Sequence, residues 1–213
     1  MRRVVAGMLL LAAVAAGPAM ALSAMQMVQR ALQATQSVQD YVADVTVTVD
    51  APSLQIPPRT AKVYYKRPDK VHVQSQGITV LPRDALLLGN LASYLERYAA
   101  ASFTGSGTLN GRPVRCIKLS PTQSEAGSGR VLVWIDTERY LLLKSEIWRA
   151  GRRMLTVSFE HAQVSGHWMP RRIVAELAPG ALSGEDEGGR MELTFANYRV
   201  NAGIPDAIFE EGQ

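Results

Sequence analysis

Few residues in this 213-residue sequence are equipped for chemistry, and they are scattered. His161 and His167 are near enough to meet across a turn, with Glu160 adjacent, a set able in principle to hold a metal or pass a proton. The same residues serve equally well as ordinary polar side chains at strand ends, which is the stronger reading. Glu185-Asp186-Glu187 stands between glycines in a loop at 183–189. Adjacent carboxylates without a fixed scaffold make a solvated loop tip rather than a metal site. The lone cysteine, Cys116, excludes an internal disulfide and a cysteine-based zinc site. In the strand-like Val114-Arg115-Cys116-Ile117 it suits a small buried hydrophobe better than a reactive thiol. There is no Gly-x-Ser-x-Gly elbow, no His-Glu-x-x-His pair and no Walker sequence, and Gly105-Ser106-Gly107 lacks the later glycine of a dinucleotide loop. The chain is not expected to be an enzyme, and it implies no cofactor and no metal.

The elements that must position these residues begin after an export signal. Residues 1–21 have Arg2-Arg3, an apolar run over 4–16 too short to span a bilayer, and Ala19-Met20-Ala21, the layout of a cleavable signal peptide. A buried N-terminal helix is the alternative, but nothing polar divides the run into two faces. Leu22, not cysteine, follows the expected cut, so the mature protein is expected to leave the cytoplasm as a soluble protein without an N-terminal lipid anchor. Losing Arg2 and Arg3 turns 23 basic residues into 21 against 19 acidic ones, a balance of +2 that implies no nucleic-acid partner. Residues 22–213 are the size of one domain, large enough to be held by its core.

One helix opens this domain. Ser23 and Gln26 form a capping box, and Met25, Val28, Ala31, Leu32 and Thr35 recur at helical spacing. Strands dominate the rest. Ala43, Val45, Val47 and Val49 alternate with Asp44, Thr46, Thr48 and Asp50. Pro52, Pro57 and Pro58 are read as a loop, 62–66 and 71–75 as strands around the turn Lys66-Arg67-Pro68-Asp69, and 82–98 as a second amphipathic helix. Residues 105–111 are read as a turn, 113–119 as a strand, 124–129 as another turn and 131–136 as a strand. A hairpin pairs 141–149 with 154–161 through Ala150-Gly151-Arg152, and 171–177 and 190–198 complete the set. So many strands and two helices predict an α+β, mainly β fold: a strongly curved antiparallel sheet or half-open barrel, its concave face under the helices. In 131–136, Val131, Val133 and Ile135 face one way, Leu132 and Trp134 the other. Apolar residues on both faces fit either a sheet packed between helices and its own other half, or a curled sheet whose apolar interior opens to a ligand.

Particular residues then resemble the LolA/LolB-like superfamily of periplasmic lipoprotein carriers. They are Tyr41-Val42-Ala43-Asp44-Val45-Thr46, then Val63-Tyr64-Tyr65-Lys66-Arg67-Pro68, Val133-Trp134-Ile135-Asp136, Leu143-Lys144-Ser145-Glu146, Gly151, Phe159, Met169-Pro170, and the ending from Asn201-Ala202-Gly203 to Phe209. The order of these short motifs spans nearly the whole mature chain. The resemblance implies a half-open barrel with a helical lid and an apolar cavity that takes up acyl chains of lipoproteins or lipids. Val45, Val47, Val63, Tyr65, Val133 and Trp134 would line it, with Met25 on the lid. Arg67, matching the family's Lys-Arg-Pro arginine, would latch the lid through backbone carbonyls. It further implies an inner-membrane donor, an outer-membrane acceptor and a monomeric carrier. A similar domain occurs in MucB/RseB-type envelope-stress regulators, which bind a membrane partner and sense lipids or lipoproteins, and which carry a second domain for which no residues remain here. The chain departs from the family where an Asp-Gly turn and aromatic strand are expected soon after Gly77, and it ends without the final strand of some carriers.

Overall fold

The computed structural model describes residues 22–52, 54–75, 98–121, 129–181 and 187–210. Helix α1 (Ala24–Gln33) begins at the expected capping box: the Gln26 amide donates to Ser23 Oγ at 3.2 Å and the Ser23 amide to Gln26 Oε1 at 2.9 Å. Its buried stripe is Ala24, Met27, Val28 and Ala31, not the one read from Met25. The i, i+3, i+4, i+7 series starts at the first helical residue, which leaves Met25 and Leu32 half-buried on the flanks and Thr35 beyond the helix end.

The strands are β1 (Asp40–Ala51), β2 (Leu54–Lys66), β3 (Lys70–Gln74), β4 (Tyr98–Leu109), β5 (Arg112–Pro121), β6 (Arg130–Asp136), β7 (Leu142–Arg149), β8 (Arg152–Val164), β9 (His167–Leu177) and β10 (Gly189–Val200). They form one ten-stranded antiparallel sheet in the order β3-β2-β1-β10-β9-β8-β7-β6-β5-β4. The last strand returns beside the first, and among the described residues β3 and β4 are the edges of a curved, unclosed sheet. This is the mainly β half-barrel that the sequence predicts. A 3₁₀ turn over Asp206–Phe209 ends the described chain.

Two stretches read as loops are strands. Pro57 and Pro58 lie within β2, where Val47 pairs with Arg59 and Val49 with Ile56, so β2 carries one extra residue opposite Thr48. This bulge holds the prolines, and because β3 pairs with Lys62–Lys66 alone, their missing N–H groups interrupt no second ladder. Residues 105–109, read as part of a turn, continue β4. The reversal is confined to Asn110 and Gly111, both at positive φ (50° and 75°), the conformation that a two-residue hairpin demands. Of the second helix read over 82–98, residues 82–97 lie outside the described residues, and Tyr98 starts β4. Residues 124–128 of the turn read over 124–129 and most of the loop at 183–189 also lie outside them.

Candidate functional site

Residues paired across a ladder share a face, so the register divides the sheet into two surfaces. One is largely apolar, interrupted by Ser145 on β7 and Arg59 on β2. From β3 through β1 it carries Val71, Val73, Tyr65, Val63, Ala61, Tyr41, Ala43, Val45 and Val47. It continues through Phe195 and Leu193, Ile173 and Ala175, Phe159 and Val157, and Ile147 to Val131, Val133, Ile117 and Leu119. The other face is mostly polar: Asp44, Lys62, Glu192, Arg172, Glu160 and Lys144 belong to it, with Trp134 and the half-buried Cys116. Strict alternation in β1 thus propagates across the whole sheet.

Helix α1 lies on the apolar face over one half of it. Ala24, Met27, Val28 and Ala31 pack with Ile117, Leu119, Val131, Val133 and Ile135. On the other half, Val45, Val47, Val63 and Tyr65 join Tyr41, Ile173, Leu193 and Phe195 in a separate buried cluster. Val49, Val71, Val73, Val157, Phe159 and Met191 border that cluster and remain partly exposed. Of the residues singled out from the sequence, Val45, Val47, Val63 and Tyr65 therefore come together. Val133 shares their face but sits under α1. Met25 lies beside the helix's buried stripe. Trp134 departs from the set: it projects from the opposite face to Val133, with the Lys144 ammonium 4.6 Å from its ring centre. Neighbours on a strand point to opposite sides, so the two cannot line one cavity.

Burial raises the Tyr41, Tyr65 and Tyr198 hydroxyls above the usual phenol range, so all three stay neutral. Their rings cluster at one end of the interior: Tyr41 lies 5.2 Å from Tyr65 and 5.5 Å from Tyr198, whose hydroxyl donates to the Pro170 carbonyl at 2.7 Å.

The link between α1 and β1, residues 34–39, is gripped on several sides. Arg67 Nη1 donates to the Thr35 carbonyl at 3.4 Å, and the Arg67 amide to Gln39 O at 2.8 Å. Asn201 accepts from the Gln39 amide at 2.7 Å and donates to Ser37 O at 3.0 Å, and Ser37 Oγ meets His167 Nδ1 at 2.9 Å. Behind Asn201, the buried Asp40 carboxylate accepts the amides of Ala202, Gly203 and Ile204 at 2.7, 3.0 and 3.3 Å. Lys66 and Lys70 pair with Asp206 at 2.7 and 3.3 Å. Arg67 thus reaches a backbone carbonyl just past the helix. The roles of Asn201, Asp40 and His167 have no local signature, since each partner is more than a hundred residues away in sequence.

The histidines do different things. His167 holds Ser37, whereas His161 stacks on Phe159 with ring centres 6.5 Å apart. Burial, aided by the Arg112 cation, lowers the His161 pKa to about 4 and keeps it neutral. Glu160 instead pairs with Arg171 and Arg172 at 2.8 and 2.9 Å. Among the described residues, no group of three or more His, Cys, Asp or Glu side chains is arranged to hold a metal, and no helix is long and apolar enough to cross a membrane.

On the polar face, a cavity of about 240 Å³ is lined by Asn110, Ser158, Glu160, Arg172, Glu176 and Arg190 among others. Arg172 forks onto Glu192 with contacts of 2.6 and 2.7 Å, and this hydrogen bonding holds the Glu192 carboxyl down at about 2. A carboxyl pKa depressed by folding contributes stability that is complete above the unfolded value and is lost as pH falls toward the folded one. The unfolding temperature is therefore expected to fall between about pH 5 and pH 2.5, and Arg172→Met should flatten that dependence in thermal melts across this range.

A family model whose description reads "Uncharacterized protein" matches residues 89–213, more than half of the chain. No curated protein matches the sequence. Among solved structures, a LolA superfamily protein from Nitrosomonas europaea is 14% identical, with 89% of this chain and 98% of that one covered and a TM-score of 0.58. A domain assigned as an outer membrane lipoprotein-sorting protein from Vibrio parahaemolyticus is 15% identical, with 88% and 96% covered and a TM-score of 0.66. A DUF1329 family protein from Desulfovibrio piger is 14% identical, with 89% and 98% covered and a TM-score of 0.65. The chain belongs to the family that this model describes, and it shares its fold with the LolA superfamily protein and the lipoprotein-sorting domain.

Proposed function

We propose that this protein is a soluble periplasmic carrier, exported through residues 1–21, that shields acyl chains of lipoproteins or lipids on their way between membranes. The observation that carries the proposal is the largely apolar face of a sheet left unclosed by the described residues, over which α1 covers one half only. Leaving a long acyl chain in water costs on the order of 10 kcal/mol, at about 0.8 kcal/mol per methylene. A curved apolar wall with a movable cover offsets that cost, whereas a shallow groove does not. Transfer then needs binding and release, without covalent chemistry: an inner-membrane donor loads the carrier and an outer-membrane acceptor empties it. Opening α1 away from β5 and β6 would pull on the link at residues 34–39, and there Arg67 is the cation that must let go.

Native mass spectrometry of protein purified from a Gram-negative periplasm tests this reading. A bound acyl-chain ligand that organic extraction removes is expected, and so is uptake of a fluorescent fatty acid by the stripped protein. Neither mass loss nor uptake would sink the carrier reading. In the same assay Arg67→Leu is expected to change uptake or release rates by about tenfold, the scale of one charge-assisted hydrogen bond, with little loss of fold. Unchanged kinetics would remove Arg67 from the mechanism.

A further inference from the structure

We propose that the β7–β8 hairpin tip is a docking foot for anionic lipid headgroups. The tip turns at Ala150 and Gly151, both at positive φ, and this register sets Arg149 directly opposite Arg152. Like charges facing each other across a ladder repel, so the arrangement works against the hairpin until an anion bridges it. One step in from the tip, Trp148 is flanked on both neighbouring strands by cations, paired with Arg130 on β6 and Arg153 on β8. The Arg130 guanidinium lies 4.6 Å from a Trp148 ring centre. Beside it, Gly129 lets the two backbones run close together, because a Cβ there would stand 2.5 Å from the Trp148 carbonyl oxygen.

Among the described residues, counter-charge at the tip is sparse. Glu146 is buried, accepts the Trp148 indole N–H at 2.9 Å and already pairs with Lys144 at 2.7 Å, while Arg153 stands 3.7 Å away. Arg152 donates to the neutral Pro179 carbonyl at 3.2 Å. Among the described residues, Arg130, Arg149 and Arg152 have no carboxylate partner, and all four arginines are exposed. Arg130, Arg149 and Arg152 alone contribute +3, more than the balance of +2 for residues 22–213, so the positive field is concentrated at this tip. Guanidinium forks match phosphate oxygens, and an indole beside them is the aromatic group that settles at headgroup level. The near-neutral balance of residues 22–213 does not favour a nucleic-acid backbone, whereas an exposed hairpin tip suits a plane of phosphates.

Co-sedimentation with vesicles tests this, using phosphatidylcholine alone and phosphatidylcholine with about 30 mol % phosphatidylglycerol. The purified protein is expected to bind only the anionic vesicles and to be released by about 0.5 M salt. Each basic residue close to an anionic surface strengthens binding roughly fivefold, so Arg149→Glu with Arg152→Glu should weaken it by about thirtyfold or more. Arg149→Gln with Arg152→Gln should give a smaller loss in the same direction. Arg59→Glu with Arg199→Glu, an equal charge change elsewhere, should bind as the unaltered protein does. Equal binding to both vesicle types, or equal losses in the tip and control variants, would overturn the proposal. Competition by millimolar inorganic phosphate without any vesicle preference would make the tip a phosphate site and would equally overturn it. Fatty-acid uptake by the tip variants should be unchanged, which separates failure of this proposal from failure of the carrier reading.

Discussion

Asp40→Ala is expected to lower the unfolding free energy by about 3 kcal/mol. The Asp40 carboxylate is 4% exposed and accepts three consecutive backbone amides, from Ala202 to Ile204, and those amides have no substitute once it is gone. Charge-assisted bonds to a buried acceptor contribute roughly twice what neutral ones do, and leaving the donors unpaired adds their desolvation. For a domain of this size the unfolding temperature should drop by about 6–12 °C in a thermal melt. Asp40→Asn, which keeps one acceptor oxygen, should lose less. The loss has a local consequence too, because Ile204 is buried and Lys66 donates to its carbonyl at 2.9 Å. Amide exchange over residues 201–206 should rise more than exchange in β9. A variant as stable as the parent would show that the carboxylate anchors nothing.

Val157→Asp is expected to abolish acyl-chain binding while the sheet survives. Val157 sits mid-strand on the apolar face, opposite Ser145 on β7 and Ala175 on β9, and is only partly buried. A carboxylate there keeps water in the empty protein but must shed it when a hydrocarbon chain lies across it. An uncompensated charge in that position costs several kcal/mol, so fatty-acid affinity should fall at least a hundredfold. Val157→Leu should bind within a few-fold of the parent, since it changes volume and not polarity. Wild-type affinity in the aspartate variant, with an unchanged unfolding temperature, would place the chain somewhere other than this face.

The parts of the fold legible in the sequence are those whose cause is local. Alternation from Ala43 to Val49 is enough to assign β1 and its apolar face, and Ser23 with Gln26 is enough to start α1. Parity along β2 also puts Val63 and Tyr65 together correctly. What escaped is set by partners far away. Pro57 and Pro58 look like a loop until β1 is seen to face them across a bulge. Residues 105–109 look like a turn because glycine is a turn residue, yet Asn110 and Gly111 alone have the required backbone. Trp134 is adjacent to Val133 in sequence and opposite to it in space, an error that the two-residue period itself corrects. Asp40 and Asn201 carry no motif that advertises a clamp, because the amides and carbonyls they engage belong to the other end of the chain.

The two prolines of β2 have a consequence beyond their bulge. Over residues 54–61 this strand has β1 on one side and, among the described residues, no strand on the other. Such a border invites a second molecule to add its own strand, and a chain of such additions is a fibre. A proline pair interrupts the row of amides that an incoming strand needs, and the exposed Arg59 beside it sets positive charge against positive charge when two copies approach. The border of this sheet keeps at least this margin from joining its own kind.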